Sequence, residues 1–537
     1  MLLLELKTAW DSFSSHLSDN VFLYYAELLI LTLVVYHTYR TSKKWYLRKK
    51  LGAESAKWLQ TSSAGWINSL PMREILDAKR EGYLLRELWK YWHDDDENFM
   101  VKVAGTEMFV TTDPENYKAL LATQFNDFKL GIRHSHFKPL LGDGIFTLDY
   151  GGWKHSRALL RPNFSREKVG HLHSLETHLQ VLFKHIRKHN GKPFDLQELF
   201  FRLTVDTATE FLFGHSANTL EDESIGIHKE ETFEGEKEFY DCFNISQAIC
   251  ATRAWTQKGY FLTIPFLYKE FTRCNRVVHN FADYYVNMAL NMSQDELEKE
   301  SNDGYIFLYE LAKETRDPKV LRDQLLNIMI AGRDTTAGLM SFIFFELAKR
   351  PDVWAKLKAE IYERFGYGDN VRFDEITFET LKKCTYLKNV VNETLRLYPS
   401  VPVNYRQANI NTTLPRGGGP DGDKPVLIEK GNAVGYIVSA THRNEKYYGK
   451  DAAEFKPERW DDKNLKPGWT YLPFNGGPRI CLGQQFAITE ASYVVTRMIQ
   501  EFPNIADHDV EPDTYPPRMI SQLTNSLAAG CYVSLTK

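Results

Sequence analysis

The chain has few cysteines and no excess of one charge. Six cysteines are scattered over 537 residues without a C-x-x-C pair, which argues against a disulfide-stapled secreted fold. Lysine and arginine total 66 against 70 aspartates and glutamates, a net charge of −4. With no interleaving of basic and aromatic residues, this balance gives no reason to expect nucleic acid as a partner. We expect reduced thiols in a protein that faces the cytosol.

The sequence also lacks internal divisions. No serine and glycine linker, low-complexity tract or fixed-period repeat interrupts it, although its length alone would suggest three or four domains. The one glycine cluster, RGGGPDGD at 416–423, lies between two strand-like runs and predicts a long turn. We therefore expect a single large catalytic domain over residues 71–537.

An apolar stretch near the N-terminus predicts a membrane anchor. Residues 21–39 read VFLYYAELLILTLVVYHTY, and about 20 such residues span a bilayer core. Basic residues follow this stretch and acidic residues precede it, which places the following domain in the cytoplasm. A cleaved signal peptide is the alternative, but no small-residue cleavage site follows. We expect a short lumenal N-terminus at 1–20, the anchor at 21–39 and a basic juxtamembrane linker at 40–70.

A second apolar run, QLLNIMIAGRDTTAGLMSFIFF, predicts a buried helix. Asp317 is placed as its N-cap and Pro318 at its first position, both of which favour a helix start. A second transmembrane span is the alternative, but G-R-D-T-T interrupts the run at its midpoint, where charge is most costly in lipid. The run is therefore expected in the core of the domain.

One face of this helix has room for a ligand. Asn327, Ala331 and Thr335 recur at i, i+4 spacing, next to Gly332. The Thr335 hydroxyl can bond to the carbonyl four residues earlier and loosen the helix into a groove, and Asp334 beside it offers a proton. In the alternative reading Thr335 only back-bonds and Asp334 only pairs with a neighbouring arginine.

Glu393 and Arg396 lie at i, i+3 spacing, close enough to pair on a helix. Arg459, in FKPERW, could complete a three-membered ion network with them. Such a buried trio is plausible only where every member is hydrogen-bonded, which would make it a structural lock. A solvated surface pair is the alternative.

The stretch FNGGPRICLGQ at 474–484 surrounds Cys481 with glycine, proline and arginine. Gly477 favours a tight loop, and Gly483 lets the following helix approach whatever lies against Cys481. A thiolate there needs a nearby metal or backbone N–H groups, and Arg479 suits the carboxylate edge of a flat cofactor. A lone buried cysteine is usually inert, but the pattern F-x-x-G-x-R-x-C-x-G from Phe474 reverses that expectation.

Taken in order, the motifs make the chain resemble the cytochrome P-450 monooxygenases. They are W-x-x-x-R at Trp153, A-G-x-D-T-T at Ala331, E-x-x-R at Glu393, P-E-R-W at Pro457 and the Cys481 loop. The runs LGDGIFTLDYGGWKHSRALLRPNF, NTTLPRGGGPDG and NGGPRICLGQQFAITEASYV are similar to the alkane and fatty-acid hydroxylases of yeasts. The resemblance implies a mainly α fold with small β-sheets, the haem-thiolate fold, after one N-terminal transmembrane helix.

The resemblance also implies the cofactor and its residues. Cys481 would be the axial ligand of the iron of haem b, a thiolate that favours O–O cleavage. The haem-contacting positions would be Trp153, Arg157, Ala331, Arg406, Phe474, Gly477, Arg479 and Gly483. Thr335 and Asp334 match the pair that delivers protons to dioxygen, and Glu393, Arg396 and Arg459 match the structural lock.

The resemblance further implies a membrane-bound enzyme of the endoplasmic reticulum. It would insert one atom of O2 into a C–H bond of an alkane or fatty acid, at a terminal or subterminal carbon. The chain has no P-loop and no G-x-G-x-x-G fingerprint after a strand, so NADPH-derived electrons would come from a separate reductase, with cytochrome b5 as a further partner. By analogy the pocket would be lined by His134, Phe137, Asn327, Ile330, Val401, Val403, Thr524 and Leu527.

Several alternatives stay open at this point. The lipophilic substrate could be a sterol or an aromatic metabolite, because a membrane anchor suits these equally. A haem-thiolate isomerase or dehydratase would not need the Asp334 and Thr335 pair. A haem-binding sensor or carrier would not need a reductase.

Overall fold

The computed structural model describes residues 2–59, 72–90, 97–103, 106–164, 172–227, 231–303 and 305–537. The end of the predicted linker, residues 60–70, lies outside this part of the chain. The α-helices are α1 (Leu2–Leu51), α2 (Met72–Glu81), α3 (Leu84–Trp89), α4 (Pro114–Lys118), α5 (Arg133–Leu141), α6 (Tyr150–Leu160), α7 (Leu172–His189), α8 (Leu196–Phe213), α9 (Phe239–Thr256), α10 (Ile264–Asn291), α11 (Gln294–Asp303), α12 (Phe307–Glu314), α13 (Pro318–Lys349), α14 (Pro351–Phe365), α15 (Phe378–Leu381), α16 (Thr385–Leu397), α17 (Val438–Thr441), α18 (Glu445–Tyr448) and α19 (Gln484–Glu501).

The strands are short and group into small sheets. They are β1 (Asn98–Val103), β2 (Thr106–Thr111), β3 (Phe128–Lys129), β4 (Phe194–Asp195), β5 (Asn404–Ala408), β6 (Thr412–Gly418), β7 (Lys424–Ile428), β8 (Ala433–Tyr436), β9 (Asn504–Asp507), β10 (Met519–Ser521), β11 (Asn525–Leu527) and β12 (Tyr532–Thr536). One sheet has the order β1-β2-β8-β5-β3, a second the order β4-β12-β9, and β6–β7 and β10–β11 form two-stranded sheets. The predicted fold class, mainly α with small β-sheets, is confirmed.

Helix α13 is the central element of the domain. Its start matches the prediction: the Asp317 carboxylate accepts from the N–H groups of Lys319 at 2.9 Å and Val320 at 3.2 Å, and Pro318 occupies the first turn. The helix packs against α8, α10, α16 and α19. By length and composition α13 is apolar enough to cross a membrane, but 83% of its apolar window is buried in the domain. Its hydrophobicity therefore serves the core.

Close approach of α13 to the second half of the chain depends on glycine. A Cβ atom at Gly338 would lie 2.6 Å from the carbonyl oxygen of Asn525 in β11, closer than real Cβ atoms approach other atoms. The absence of a side chain therefore lets β11, and Thr524 before it, pack directly on α13.

The predicted turn at 416–423 joins β6 and β7. The antiparallel partners run from Thr412 opposite Ile428 to Gly418 opposite Lys424. The first residues of the glycine cluster thus belong to β6, and residues 419–423 make the turn itself.

Helix α1 contains the predicted anchor and enters the domain without a break. Its side chains from Tyr24 to Tyr39 are mostly exposed and apolar, and its last turns contact the domain. Arg40 lies 3.1 Å and Lys44 lies 3.3 Å from the Glu107 carboxylate, and Lys44 also lies 3.3 Å from Glu429. The basic residues after the anchor are thus paired with carboxylates of β2 and of the β7–β8 connection.

The segment after α1 continues these contacts. The Glu54 N–H group donates to the carbonyl of Pro425 at 2.8 Å, and the Leu59 N–H group donates to the carbonyl of Met100 at 2.9 Å. Residues 40–59, predicted as part of a linker, therefore pack on the domain, because their backbone pairs with strands β1 and β7.

Candidate active site

The Cys481 loop is a tight turn that leads directly into α19. A 3-10 turn at Gly477–Arg479 precedes Cys481, whose N–H group donates to the Phe474 carbonyl at 3.0 Å. Gly477 has φ of +67°, and a Cβ atom there would lie 1.9 Å from the carbonyl oxygen of Leu121. Only glycine fits both the backbone conformation and this contact.

The thiol of Cys481 faces a cavity. All six cysteines lie in the described residues, and of these only Cys481 is exposed. Although the thiol is open to the cavity, the protein packed around it removes much of its solvation, and this burial raises its pKa. The Gly483 N–H group and the Arg157 guanidinium lower the pKa. These two groups would favour a thiolate once a cation faced it.

The cavity in front of Cys481 is enclosed mainly by helices and by the Cys481 loop. Its walls come from α6, α8, α13 and α19, together with the segment 472–483. Trp153, Arg157, Ala331, Arg406, Phe474, Arg479, Cys481 and Gly483 line it. The cavity therefore brings together seven of the eight residues that were predicted to contact haem besides Cys481. The eighth, Gly477, does not line the cavity and packs against Leu121.

A cluster of guanidinium groups gathers at one edge of this cavity. Arg479 donates to the Asp149 carboxylate at 2.9 Å, and its guanidinium lies 4.5 Å from the ring centroid of Trp153. Burial and the neighbouring Arg406 lower the pKa of Arg479 to about 9. Arg406 is itself buried, and it donates to the carbonyl of Tyr405 at 2.8 Å.

This edge fits an anionic group. Arg133, which the sequence analysis missed, also lines the cavity and donates to the Asn404 side chain at 2.6 Å. Within the described residues, the ion pair of Arg479 with Asp149 is the only one that Arg133, Arg406 or Arg479 makes. Buried cations without partners are costly, so the two propionates of a haem would satisfy this edge while its iron faced Cys481. The residues present therefore fit haem.

The α13 wall has the predicted back-bonded threonine. The Thr335 hydroxyl donates to the Ala331 carbonyl at 2.6 Å, and both residues line the cavity. Asp334 lines neither this cavity nor its neighbour. Its carboxylate accepts from the Gln247 side chain on α9 and lies 3.3 Å from Arg333. Burial raises the pKa of Asp334, against the smaller opposing effects of the Arg333 guanidinium and the Gln247 hydrogen bond.

The predicted trio is buried and fully hydrogen-bonded. Glu393 and Arg396 are 0% exposed and form two bonds of 2.8 Å, and Arg459 lies 3.3 Å from the same carboxylate. The Trp460 indole donates to it as well, at 3.0 Å. Arg396 also donates to the carbonyl of His442 at 2.7 Å. The network joins α16 to the segment before the Cys481 loop and touches neither cavity.

A second cavity adjoins the first. It runs between α2, α3, strands β1 and β2, the end of α9 and residues 522–524. The residues that it shares with the first cavity are Arg133, Phe146, Ala331, Thr335, Val401 and Asn404. Of the predicted pocket residues, it is lined by Phe137, Ile330, Val401, Val403 and Thr524.

The other three predicted pocket residues lie elsewhere. His134 is half-exposed and contacts Asp143 at 2.8 Å. Asn327 is fully buried, and its amide binds the Leu141 carbonyl at 2.9 Å and the Phe146 N–H group at 3.1 Å. Leu527 is 3% exposed in the core. Each is used for packing or for a local contact, so none of them lines either cavity.

The structure also shows cavity residues that the sequence analysis missed. Arg133, Thr207, Thr336, Tyr436 and Glu490 all line the first cavity. Four of them come from α5, α8, β8 and α19, which no local motif joins, whereas Thr336 is the last residue of the A-G-x-D-T-T motif and was given no role of its own. One local signal was present for Glu490, which is an acid in an otherwise apolar stretch of the helix that follows Cys481.

Comparisons with known proteins agree over nearly the whole chain. The Cytochrome P450 family profile matches residues 72–528. Cytochrome P450 52A12 of Debaryomyces hansenii is 56% identical over 519 residues, 96% of this chain and 98% of that protein. Cytochrome P450 52A3-B of Candida maltosa is 55% identical over 91% of this chain and 92% of its own. Cytochrome P450 52A6 of Candida tropicalis is 54% identical over 95% and 96%.

Proposed function

Because the chain belongs to the cytochrome P450 family of monooxygenases, we propose that it hydroxylates the chain of an n-alkane or a fatty acid. In this reaction one oxygen atom of O2 enters a C–H bond. The other oxygen leaves as water, with two electrons from NADPH and two protons. Haem b bound at Cys481 would supply the oxygen chemistry, and the protein would supply binding, orientation and protons.

The second cavity is the observation that carries this proposal. Aliphatic and aromatic side chains line most of it, among them Ile75, Leu88, Phe99, Val101 and Val110. It reaches Ala331 and Thr335, which also line the haem cavity. An apolar passage that ends beside the reacting centre suits a flexible hydrocarbon chain.

Residues at the junction of the two cavities would set the position of attack. Internal C–H bonds of a chain are weaker than those of its terminal methyl group, so attack at the end requires that internal carbons be kept away. Ala331, Thr335 and Val401 are shared by both cavities. Their side chains would restrict access so that the terminal or subterminal carbon reaches the centre.

The chain's own residues take distinct roles in this proposal. Arg133, Arg406 and Arg479 would hold the propionates, and Cys481 would hold the iron. Thr335 would position water or dioxygen beside the α13 groove, and Asp334 would serve as a proton source from behind it. Glu393, Arg396 and Arg459 would keep the Cys481 loop in place and take no part in the chemistry.

The location and partners follow from the anchor. Residues 21–39 would span the endoplasmic reticulum membrane once, with the domain in the cytoplasm. A membrane-bound NADPH-dependent reductase would deliver electrons, and cytochrome b5 is a further proposed donor. Apolar substrates would enter from the lipid, where they concentrate.

Substrate binding tests this proposal directly. Holoenzyme in detergent is titrated with alkanes and fatty acids of graded chain length, and the shift of the haem absorption band reports entry into the site. We expect saturable shifts whose affinity rises with chain length, as more apolar surface is buried. A sterol that shifts the band while every linear chain fails to do so would contradict the proposed substrate class.

A further inference from the structure

A buried carboxyl group other than Asp334 lies in the wall of the first cavity, the proposed haem cavity. Glu490 on α19 is 6% exposed and lines this cavity. The Thr207 hydroxyl donates to Glu490 Oε1 at 3.0 Å, and the Thr336 hydroxyl contacts the same carboxyl group. In the described part of the chain, Glu490 is the one carboxylic acid that lines the cavity.

The surroundings favour the protonated form of this carboxyl group, so that a substantial fraction holds its proton near neutrality. Burial raises the pKa of Glu490 to about 7, against the smaller opposing effects of the two threonine hydroxyls and of His178. His178 on α7 is the neighbouring titratable group whose electrostatic effect reaches Glu490, and its ring binds the Glu210 carboxylate on α8. The Glu210 side chain is 35% exposed.

Thr336 offers a route from Glu490 into the cavity. It neighbours Thr335, lines the same cavity and is 1% exposed. Its hydroxyl has no well-aligned hydrogen bond within the described residues. A buried hydroxyl in this condition is commonly completed by an ordered water, and the cavity provides the space for one.

We propose that Glu490 stores a proton in the cavity wall and passes it through the Thr336 hydroxyl to water in the cavity. The Glu490 O–H bond breaks as Thr336 accepts that proton on its oxygen. Thr336 then releases its own hydroxyl proton to a water molecule. A proton from solvent then returns to the Glu490 carboxylate and restores the acid.

This inference rests on the proposed function, because monooxygenation consumes two protons in each turnover. The proposed proton donor, Glu490, lies on α19 and faces the cavity, whereas Asp334, the acid of the A-G-x-D-T-T motif, faces α9. A purely structural Glu490 would only bind Thr207 and hold α19 against α8. The isosteric Glu490→Gln variant separates the two roles, since an amide keeps the hydrogen bond and stores no exchangeable acidic proton.

The first test reads the carboxyl group itself and needs no substrate. Infrared spectra of the holoenzyme are recorded from pH 5 to pH 9 in H2O and D2O. Because Asp334 is another buried acid whose pKa is raised, the readout is the difference spectrum of the parent minus Glu490→Gln. We expect it to contain a C=O band of a protonated carboxylic acid that shifts in D2O and fades as pH rises through about 7. The matched control is Glu176→Gln, which changes a carboxylate that binds Arg497 on α19 and lines neither cavity; its difference spectrum is expected to lack this band. A Glu490→Gln difference spectrum without the band would overturn the proposal.

The second test separates this inference from the proposed function. Product and peroxide formed per NADPH are measured for the parent, Glu490→Gln and Thr336→Val. We expect both variants to hold haem with the parent absorption spectrum and to lose product yield by roughly tenfold or more, toward the usual size of general-acid effects, with peroxide rising in proportion. Thr336→Val is expected to keep the infrared band, because the Glu490 carboxyl group is unchanged in this variant.

The outcomes of the second test are distinct. Parent-like product yield in both variants would refute the proton route while leaving the monooxygenase reading in place. If the parent oxidises no linear chain, the proposed substrate class fails, and the infrared band still decides whether Glu490 stores a proton.

Discussion

At the scale of single residues, the proposed oxygen chemistry depends on Cys481 as the ligand of the haem iron. Cys481→Ser is expected to abolish the haem-thiolate absorption band, because a hydroxyl oxygen does not reproduce thiolate donation. Absorption spectra of the purified reduced protein with carbon monoxide give the readout.

The control for this prediction is Cys384→Ala, at a cysteine that is buried far from the loop in sequence. It is expected to keep the band. Retention of the band in Cys481→Ser would show that another group binds the iron.

Residue motifs with a local spacing could be predicted from the sequence. Glu393, Arg396 and Arg459 were placed in one network because two of them share a helix face and buried arginines need a common acid. The pocket residues His134, Asn327 and Leu527 were placed by analogy and lie elsewhere, since side-chain direction depends on packing that no local pattern records. Arg133 and Glu490 were missed for the same reason.

At the scale of elements, the contact of α13 with β11 positions the wall of the second cavity. Gly338→Ala is expected to destabilise the protein, because the added Cβ atom would lie 2.6 Å from the Asn525 carbonyl oxygen. Overpacking of this kind costs roughly 1–3 kcal/mol. The free energy of unfolding in denaturant, with haem bound, checks this value.

Gly332 supplies the matched control on the same helix. A Cβ atom there meets nothing within 4 Å, so Gly332→Ala is expected to gain up to about 1 kcal/mol from helix propensity. Equal effects of the two substitutions would contradict the close contact of α13 with β11.

Element starts and turns were easier to predict than sheet order. The Asp317 and Pro318 cap and the turn before β7 follow from residues with strong local preferences. The parallel pairing of β2 with β8 joins residues that are more than 300 positions apart, and nothing local specifies it.

At the scale of the whole molecule, ion pairs fix α1 on the domain. Arg40, Lys43 and Lys44 contact the carboxylates of Glu107 and Glu429, which are 15% and 12% exposed. Glu107 belongs to β2, whose Met108 and Val110 line the second cavity. Through β2, the helix that carries the proposed anchor is therefore connected to the wall of the second cavity.

Charge reversal at both carboxylates, Glu107→Lys with Glu429→Lys, is expected to release the end of α1. Ion pairs of this exposure contribute roughly 0.2–1 kcal/mol each, so trypsin cleavage near Lys44 in the membrane-bound protein is expected to accelerate by about tenfold. Glu375→Lys, which breaks the exposed pair with Arg372, is the control and is expected to change nothing there. Unchanged cleavage in the double variant would show that the pairs do not hold the helix.

Hydroxylation of a linear hydrocarbon chain can be read from the reaction products themselves. Membranes that contain this protein and an NADPH-dependent reductase receive NADPH and a mixture of alkanes and fatty acids of graded length, and the products are identified by gas chromatography and mass spectrometry. We expect terminal or near-terminal alcohols that depend on NADPH and on Cys481. Consumption of NADPH with no oxidation of any linear chain would contradict this expectation.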